Sequence, residues 1–197
     1  MKVSIRLARD ADAEQMLAIY TPVVRETAIS FELEPPALDE FRARVDSTLA
    51  RMPWLVCASE DDVLGYAYAG PYRSRGAYQW SAEVTVYVAA SYRRRRVGRA
   101  VYSSLIECLK ALGYVSAFAA IALPNAASVT LHERMGFRTV GVCHRVGYKL
   151  GSWHDVGWWE LAIQDPMASP KAPDLLPRVE GTARWREALG AGERWLT

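Results

Sequence analysis

The sequence predicts an α/β (α+β) domain in which a mixed sheet of about seven strands carries about four helices on its two faces. Three observations lead there. Read by periodicity, the elements run strand, two helices, three strands, helix, strand, helix, strand pair, an order that differs from the strict βαβ alternation of a parallel sheet. The run Val115 to Leu123 is largely apolar and of strand length, as expected of a strand covered on both faces. Hydrophobic residues make up 51% and charged residues 23% of the 197 positions, a mix that builds a full core.

Each element has its own signal. Val3 to Leu7 alternates as a short strand. Asp10 or Asp12 caps a helix with Met16, Leu17 and Tyr20 on its apolar face. Thr21 to Pro36 contains proline and no sustained period, so it reads as loop. A second helix starts at Asp39, carries Phe41, Val45 and Leu49 on one face, and stops at Pro53. Trp54 to Ser59 and Val63 to Ala69, separated by Glu60-Asp61-Asp62, read as a hairpin. Pro71 to Gln79 is a polar, basic loop. Glu83 to Ala89 is dense in β-branched and aromatic residues and reads as a strand. Val97, Val101, Leu105, Cys108 and Leu112 then recur at helical spacing until Gly113. After Val115 to Leu123 and the Pro124-Asn125 break, Ala126 to Met135 forms a short helix closed by Gly136. Phe137 to Val142 and Val156 to Ile163 read as the last strand pair. Beyond Asp165 the composition turns to proline, alanine and serine, which separates a domain at 1–164 from an extension at 165–197 with a possible short helix between Thr182 and Trp195.

Composition also excludes. A formal net charge of +2 gives no global field towards nucleic acid or membrane. Three scattered cysteines (Cys57, Cys108, Cys143) match neither a disulfide framework nor a metal site, and no metal is expected. No apolar stretch of signal or membrane-spanning length is present, so the expected location is cytoplasmic.

The sharpest feature is a strand that runs into Arg93-Arg94-Arg95-Arg96-Val97-Gly98-Arg99-Ala100 and then a helix. The first turn of a helix leaves about four N–H groups without intrahelical partners, and with the helix dipole they make an anion site. Small residues at Gly98 and Ala100 let a phosphate approach, and the arginines add charge for a diphosphate. A solvated basic turn and a nucleic-acid patch are the competing readings. The near-balanced charge and the lack of a second dense basic cluster weigh against nucleic acid.

This segment resembles the acyl-CoA pyrophosphate loop of the GNAT superfamily, (Gln/Arg)-x-x-Gly-x-(Gly/Ala), with Arg93, Gly98 and Ala100 in register. Arg96 stands where the middle glycine belongs, which demands a tolerable φ or some strain. Asn125-Ala126-Ala127-Ser128-Val129-Thr130-Leu131-His132-Glu133-Arg134-Met135-Gly136-Phe137 is similar to the second GNAT motif. The resemblance implies a twisted, mostly antiparallel sheet and acetyl-CoA as co-substrate. It also implies cofactor contacts from Val86, Val88, Arg93, Arg94, Arg95, Arg96, Val97, Gly98, Arg99, Ala100, Asn125 and Ser128.

Over Val3 to Ile163 the chain further resembles the phosphinothricin N-acetyltransferase branch. The stretches that carry this are GYAYAGPYRSRGAYQW (65–80), EVTVYV (83–88), LPNAASVTLHERMGF (123–137) and GYKLGSWHDVGWW (147–159). An amine must lose a proton before it attacks a thioester, and the resemblance makes Glu83 the general base, directly or through a water. His132 would protonate the departing thiolate or orient the thioester. Backbone groups of Val86 and Val88 would pair with the pantetheine arm and polarise the acetyl carbonyl. Arg73 and Arg75 would hold a carboxylate and a second polar head of an amino-acid substrate, with Phe31, Tyr78 and Thr85 completing the pocket. His154 would orient the substrate loop or hydrogen-bond Asp155, and His144 reads as surface. Tyr66, Tyr68, Trp80 and Trp158 are assigned to packing. No cysteine lies in a nucleophile motif, which favours direct transfer in a ternary complex over a covalent acyl-enzyme.

The implied reaction is acetylation of the α-amino group of a small amino-acid-like substrate (phosphinothricin, methionine sulfoximine or methionine sulfone type) by a homodimer. The rivals are an enzyme for protein N-termini or other amines, and a non-catalytic acyl-CoA-binding regulator.

Overall fold

The computed structural model describes residues 3–196. One seven-stranded sheet runs through it in the order β1 (Ser4–Leu7), β2 (Trp54–Ala58), β3 (Val63–Pro71), β4 (Ser81–Val88), β5 (Ser116–Leu123), β7 (Ser152–Ala162), β6 (Arg138–Lys149). Only β4 and β5 pair in parallel; every other neighbour is antiparallel. Helices α1 (Ala13–Glu26) and α2 (Leu38–Leu49) cover one face through Met16, Val24, Phe41 and Val45, packed on Trp54, Val56 and Tyr66. Helices α3 (Val97–Leu112) and α4 (Ala126–Arg134) cover the other. The apolar stripe read for α3 is its buried face: Val97, Val101, Leu105, Cys108 and Leu112 are all in the larger core.

Two expectations within the domain need correction. The stretch expected to be loop from Thr21 is helical as far as Glu26, with Pro22 inside it. Val23 and Val24 are both buried and continue the stripe begun by Met16 and Tyr20, so packing outweighs the lost N–H. The last strand pair is longer than its apolar residues suggested. β6 extends to Lys149 and joins β7 through Leu150-Gly151, whose φ values of 51° and 77° make a two-residue turn of the I′ kind. Two register shifts and an Arg145 at φ 48° interrupt the alternation in β6, which hid it from a period-2 search.

The extension is no loose linker. The Asp174 N–H donates to the Leu112 carbonyl at 2.8 Å and the Leu176 N–H to the Arg51 carbonyl at 3.0 Å. Two short helices, α5 (Leu176–Val179) and α6 (Ala183–Gly190), then lie on α3, and Leu176, Val179 and Trp185 join the main core. Burying a tryptophan and two aliphatic side chains is worth several kcal/mol, enough to hold the segment down.

Candidate active site

The site begins with a defect in the sheet. β4 and β5 pair only over Ser81–Glu83 and Ser116–Phe118, and beyond Glu83 the strand β4 keeps its ladder with β3 alone. The Ala89 N–H donates to the Leu64 carbonyl at 3.0 Å, so the pairs 89/64, 87/66 and 85/68 are the hydrogen-bonded ones. By alternation, the N–H and C=O groups of Val86 and Val88 point the other way, into the opening towards β5. Their side chains pack on the α3 core, as do Ala82 and Val84. An opening lined by unpaired strand backbone accepts an extended chain as an added strand would.

At the end of β4 stands the start of α3. The first backbone bond of this helix runs from the Ala100 N–H to the Arg96 carbonyl at 2.9 Å, so the N–H groups of Val97, Gly98 and Arg99 are left for a partner outside the helix. No side chain caps this end. Arg96 has φ 64°, the left-handed conformation that the missing glycine demanded, and Arg94 has φ 60°. Each costs about 1–2 kcal/mol relative to a glycine. Gly98 is small for a different reason than phosphate access. A Cβ there would meet a Val88 methyl at 3.2 Å and Leu131 at 3.6 Å, so its absence lets α3 close on β4 and α4. Ala100 is buried in the core and does not face the solvent side. A Tyr92 hydroxyl bond to Asp62 at 3.1 Å ties the arginine loop to the β2–β3 turn, and the Arg95 guanidinium lies over the Tyr92 ring.

At the start of β4, on the α1/α2 face, lies Glu83. Burial raises its carboxyl above the ordinary range, and the nearby Arg73 charge pulls it part of the way back. Arg73 lies 4.5 Å from the Tyr72 ring and 5.3 Å from that of Trp158, and Tyr72 stacks on Phe118 at 4.1 Å. Tyr78 meets Tyr72 edge-on at 5.9 Å. The loop after β3 thus sets a guanidinium on an aromatic wall beside the half-buried Glu83 carboxylate. Arg75 and Tyr78 are exposed at its rim. Thr85 pairs with Tyr68 one step further along the same face. Tyr72, Phe118 and Trp158 are members that the sequence reading missed or assigned to packing. The period-2 pattern of β5, with Ala117, Ala119 and Ile121 facing α3, is the signal that puts Phe118 on the opposite face.

A second cluster lies further along the sheet. The Phe31 ring rests over Gly147, where a Cβ would collide at 2.1 Å, and 6.3 Å from the His154 ring. Lys149 donates from Nζ to the Ser30 carbonyl at 2.6 Å and fastens this loop to β6. His154 and Trp158 share a face of β7 four residues apart, about 13 Å. The expected His154–Asp155 bond is absent. His154 Nε2 lies 3.0 Å from the Lys149 carbonyl, while Asp155 takes the exposed His144 at 2.8 Å and the Arg145 N–H at 2.7 Å.

His132 is buried, with both ring nitrogens engaged. Nδ1 donates to the Ser128 carbonyl at 2.8 Å, and Nε2 accepts from the Tyr102 hydroxyl at 2.9 Å. Burial lowers its pKa, which holds the ring neutral. Asn125 and Ser128 also have internal partners: Asn125 Oδ1 accepts from the Ser128 N–H at 3.2 Å and caps α4. Among the described residues no group of three or more side chains is arranged to hold a metal, and no helix is long and apolar enough to cross a membrane.

Comparison with known proteins agrees with this architecture. Residues 5–158 match the acetyltransferase (GNAT) domain model. A phosphinothricin N-acetyltransferase of Streptomyces viridochromogenes is 38% identical over 164 residues, covering 83% of this chain and 90% of that protein. An L-methionine sulfoximine/L-methionine sulfone acetyltransferase of Pseudomonas aeruginosa is 35% identical, over 86% of this chain and all of that one. A Sinorhizobium meliloti phosphinothricin acetyltransferase, solved in complex with acetyl-CoA, superposes with a TM-score of 0.81 at 28% identity, over 89% and 99% of the two chains. The domain match, the identities and the superposition together show that the chain belongs to the GNAT superfamily of N-acetyltransferases, in its phosphinothricin N-acetyltransferase-like branch.

Proposed function

We propose that the chain transfers the acetyl group of acetyl-CoA to the α-amino group of a small amino-acid-like substrate of the phosphinothricin, methionine sulfoximine or methionine sulfone type, directly in a ternary complex. The observation that carries this is the placement of Glu83 at the point where β4 and β5 part, with the open N-terminus of α3 at the far end of the same strand. A carboxylate raised by burial is a better proton acceptor near neutral pH than an ordinary one, and the substrate ammonium must lose its proton before attack. Backbone groups of Val86 and Val88 hold the pantetheine arm. The free N–H groups of Val97, Gly98 and Arg99, with the charge of Arg93 to Arg96, take the diphosphate. Arg73, on its aromatic wall, and the rim residues Arg75 and Tyr78 bind the substrate carboxylate and its second head, with Phe31, Thr85 and His154 shaping the pocket.

Instead of either role that its motif position suggests, protonating the thiolate or orienting the thioester, His132 serves as a positioning residue. Its neutral ring and fixed Nδ1–H leave it no proton to give, and it acts by holding Tyr102 in the wall between α3 and α4. Neither buried cysteine offers an acyl-enzyme route. Burial pushes the Cys57 thiol up to about 12 and raises that of Cys108 as well. Three free cysteines suit a reducing, cytoplasmic setting. Residues 1–164 form the catalytic domain and 165–197 an extension fastened to it. The edge strand β6, its turn and the start of β7 expose Val140, Val142, Val146, Tyr148, Leu150 and Trp153, an apolar strip suited to a homodimer contact.

The test is thiol release from acetyl-CoA with a panel of L-amino acids, methionine sulfone and phosphinothricin. Turnover of an amino-acid-like amine, abolished or strongly reduced in Glu83→Gln, is the expected result. Coenzyme binding without turnover on any amine would turn the reading towards a regulator.

A further inference from the structure

Behind the start of α3, the extension builds a groove that the matched domain alone does not have. Its volume is about 220 Å³, and it is walled by Arg99, Ser103 and Glu107 of α3, Arg134 at the end of α4, and Arg194 and Trp195 of the extension. The extension is fixed in place there. Ser104 Oγ donates to the Leu189 carbonyl at 2.7 Å and accepts from the Gly192 N–H at 3.0 Å, and the Ile5 N–H reaches Glu193 at 3.4 Å. Gly192 presses so closely on α3 that a Cβ would fall 1.9 Å from the Ala100 carbonyl oxygen. This contact delivers Trp195 beneath the Arg99 guanidinium at 3.5 Å from the ring centre, a stacking that holds the guanidinium in one orientation. The Trp195 indole N–H is buried without a hydrogen-bond partner.

Arg99 and Arg134 line the groove with one carboxylate, Glu107, so these three leave it net cationic. Arg99 is the third residue of α3, and the groove therefore starts at the same helical turn whose N–H groups point outwards, and runs about 12 Å along the helix. The space holds a phosphate with part of a sugar, not a whole nucleotide. We infer that this groove is a phosphate-monoester site to which the extension contributes, and that it takes the 3′-phosphate of coenzyme A. The inference rests on the proposed cofactor site, since an anion at the α3 N-terminus would place the rest of the coenzyme within reach of Arg99. A planar fork held by stacking and a second arginine across the groove suit a dianionic phosphate better than a carboxylate or a neutral head.

The experiment compares calorimetric titrations of coenzyme A, 3′-dephospho-coenzyme A and inorganic phosphate into the full chain, wild type against Arg134→Ala, an exposed position that the core does not use. A chain ending at Gly192 serves as the second variant, because it removes Arg194 and Trp195 but keeps the core contacts of Trp185. Wild type is expected to bind coenzyme A about 10-fold more tightly than the dephospho form, as one charged hydrogen-bonding partner implies, and both variants are expected to lose most of that preference. Equal binding of the two coenzymes by wild type would overturn the inference while leaving the cofactor site intact. So would an unchanged preference in both variants, or inorganic phosphate binding that depends on Arg134 without any preference between the coenzymes. Failure of wild type to bind either coenzyme would instead remove the cofactor reading itself.

Discussion

The two ends of β4 do opposite electrostatic work. At its start, where the strand is paired on both sides, Glu83 is a half-buried carboxylate whose partial desolvation favours the proton. At its end, where pairing survives on one side only, helix N–H groups and a run of arginines favour an anion. The contrast teaches that proton acceptance and anion binding are separated along a single strand by the point where the sheet parts. The strand spans eight residues, and by the alternation of its faces the carboxylate and the backbone donors reach the opening from different directions.

The largest expected effect breaks the first end. Glu83→Gln should lower kcat about 100-fold, the usual loss for a general base. In wild type, kcat/KM should rise with pH through the raised carboxyl pKa of Glu83, because only the ionised form accepts a proton. A kcat/KM profile without an ionisation above the ordinary carboxyl value that Glu83→Gln removes would assign the base elsewhere. Next, Arg75→Ala should raise KM for an acidic amino-acid substrate by about 10-fold and spare an uncharged amine, which steady-state kinetics on the two substrates will separate. Equal losses would mean that the arginine does not read the substrate's charge.

The second end is tested through its strain. Arg96→Gly places a residue tolerant of positive φ where Arg96 now sits at 64°, and should raise stability by about 1 kcal/mol in denaturant unfolding. No gain would mean that the arginine side chain makes a compensating contact. The smallest effect returns to Glu83. Its folded pKa is raised above the unfolded value, so the charge is a penalty on the fold at high pH that fades as pH falls through the raised pKa and is gone below about 4.5. Glu83→Gln should therefore melt slightly higher than wild type near pH 7, and the advantage should shrink on acidification. A variant that melts lower at neutral pH would show the carboxylate to be a structural partner.

Legibility in the sequence followed the locality of each signal. The stripe of α3, the two loop and helix motifs and the glycine slot taken by Arg96 depend on neighbours within a few residues, and all are where periodicity and spacing put them. The long β6–β7 hairpin escaped because β6 is exposed and twice shifted in register, so no alternation marks it. His132 reads from its motif as a group acting on the thioester, because nothing local announces that Tyr102, thirty positions earlier, lies against its ring. The aromatic wall under Arg73 joins residues from the β3–β4 loop, β5 and β7, which only the folded sheet assembles. In the extension a helix between Thr182 and Trp195 was legible, but proline and alanine dominate the first half, and Leu176, Val179 and Trp185 are too few to set a period that would show the segment joining the core.

Titration of coenzyme A into the folded protein, followed by calorimetry, tests the central claim most directly. A saturable heat that weakens with rising salt is the predicted result, since main-chain N–H groups and arginines together hold the diphosphate. The absence of any heat from a protein shown to be folded would contradict it.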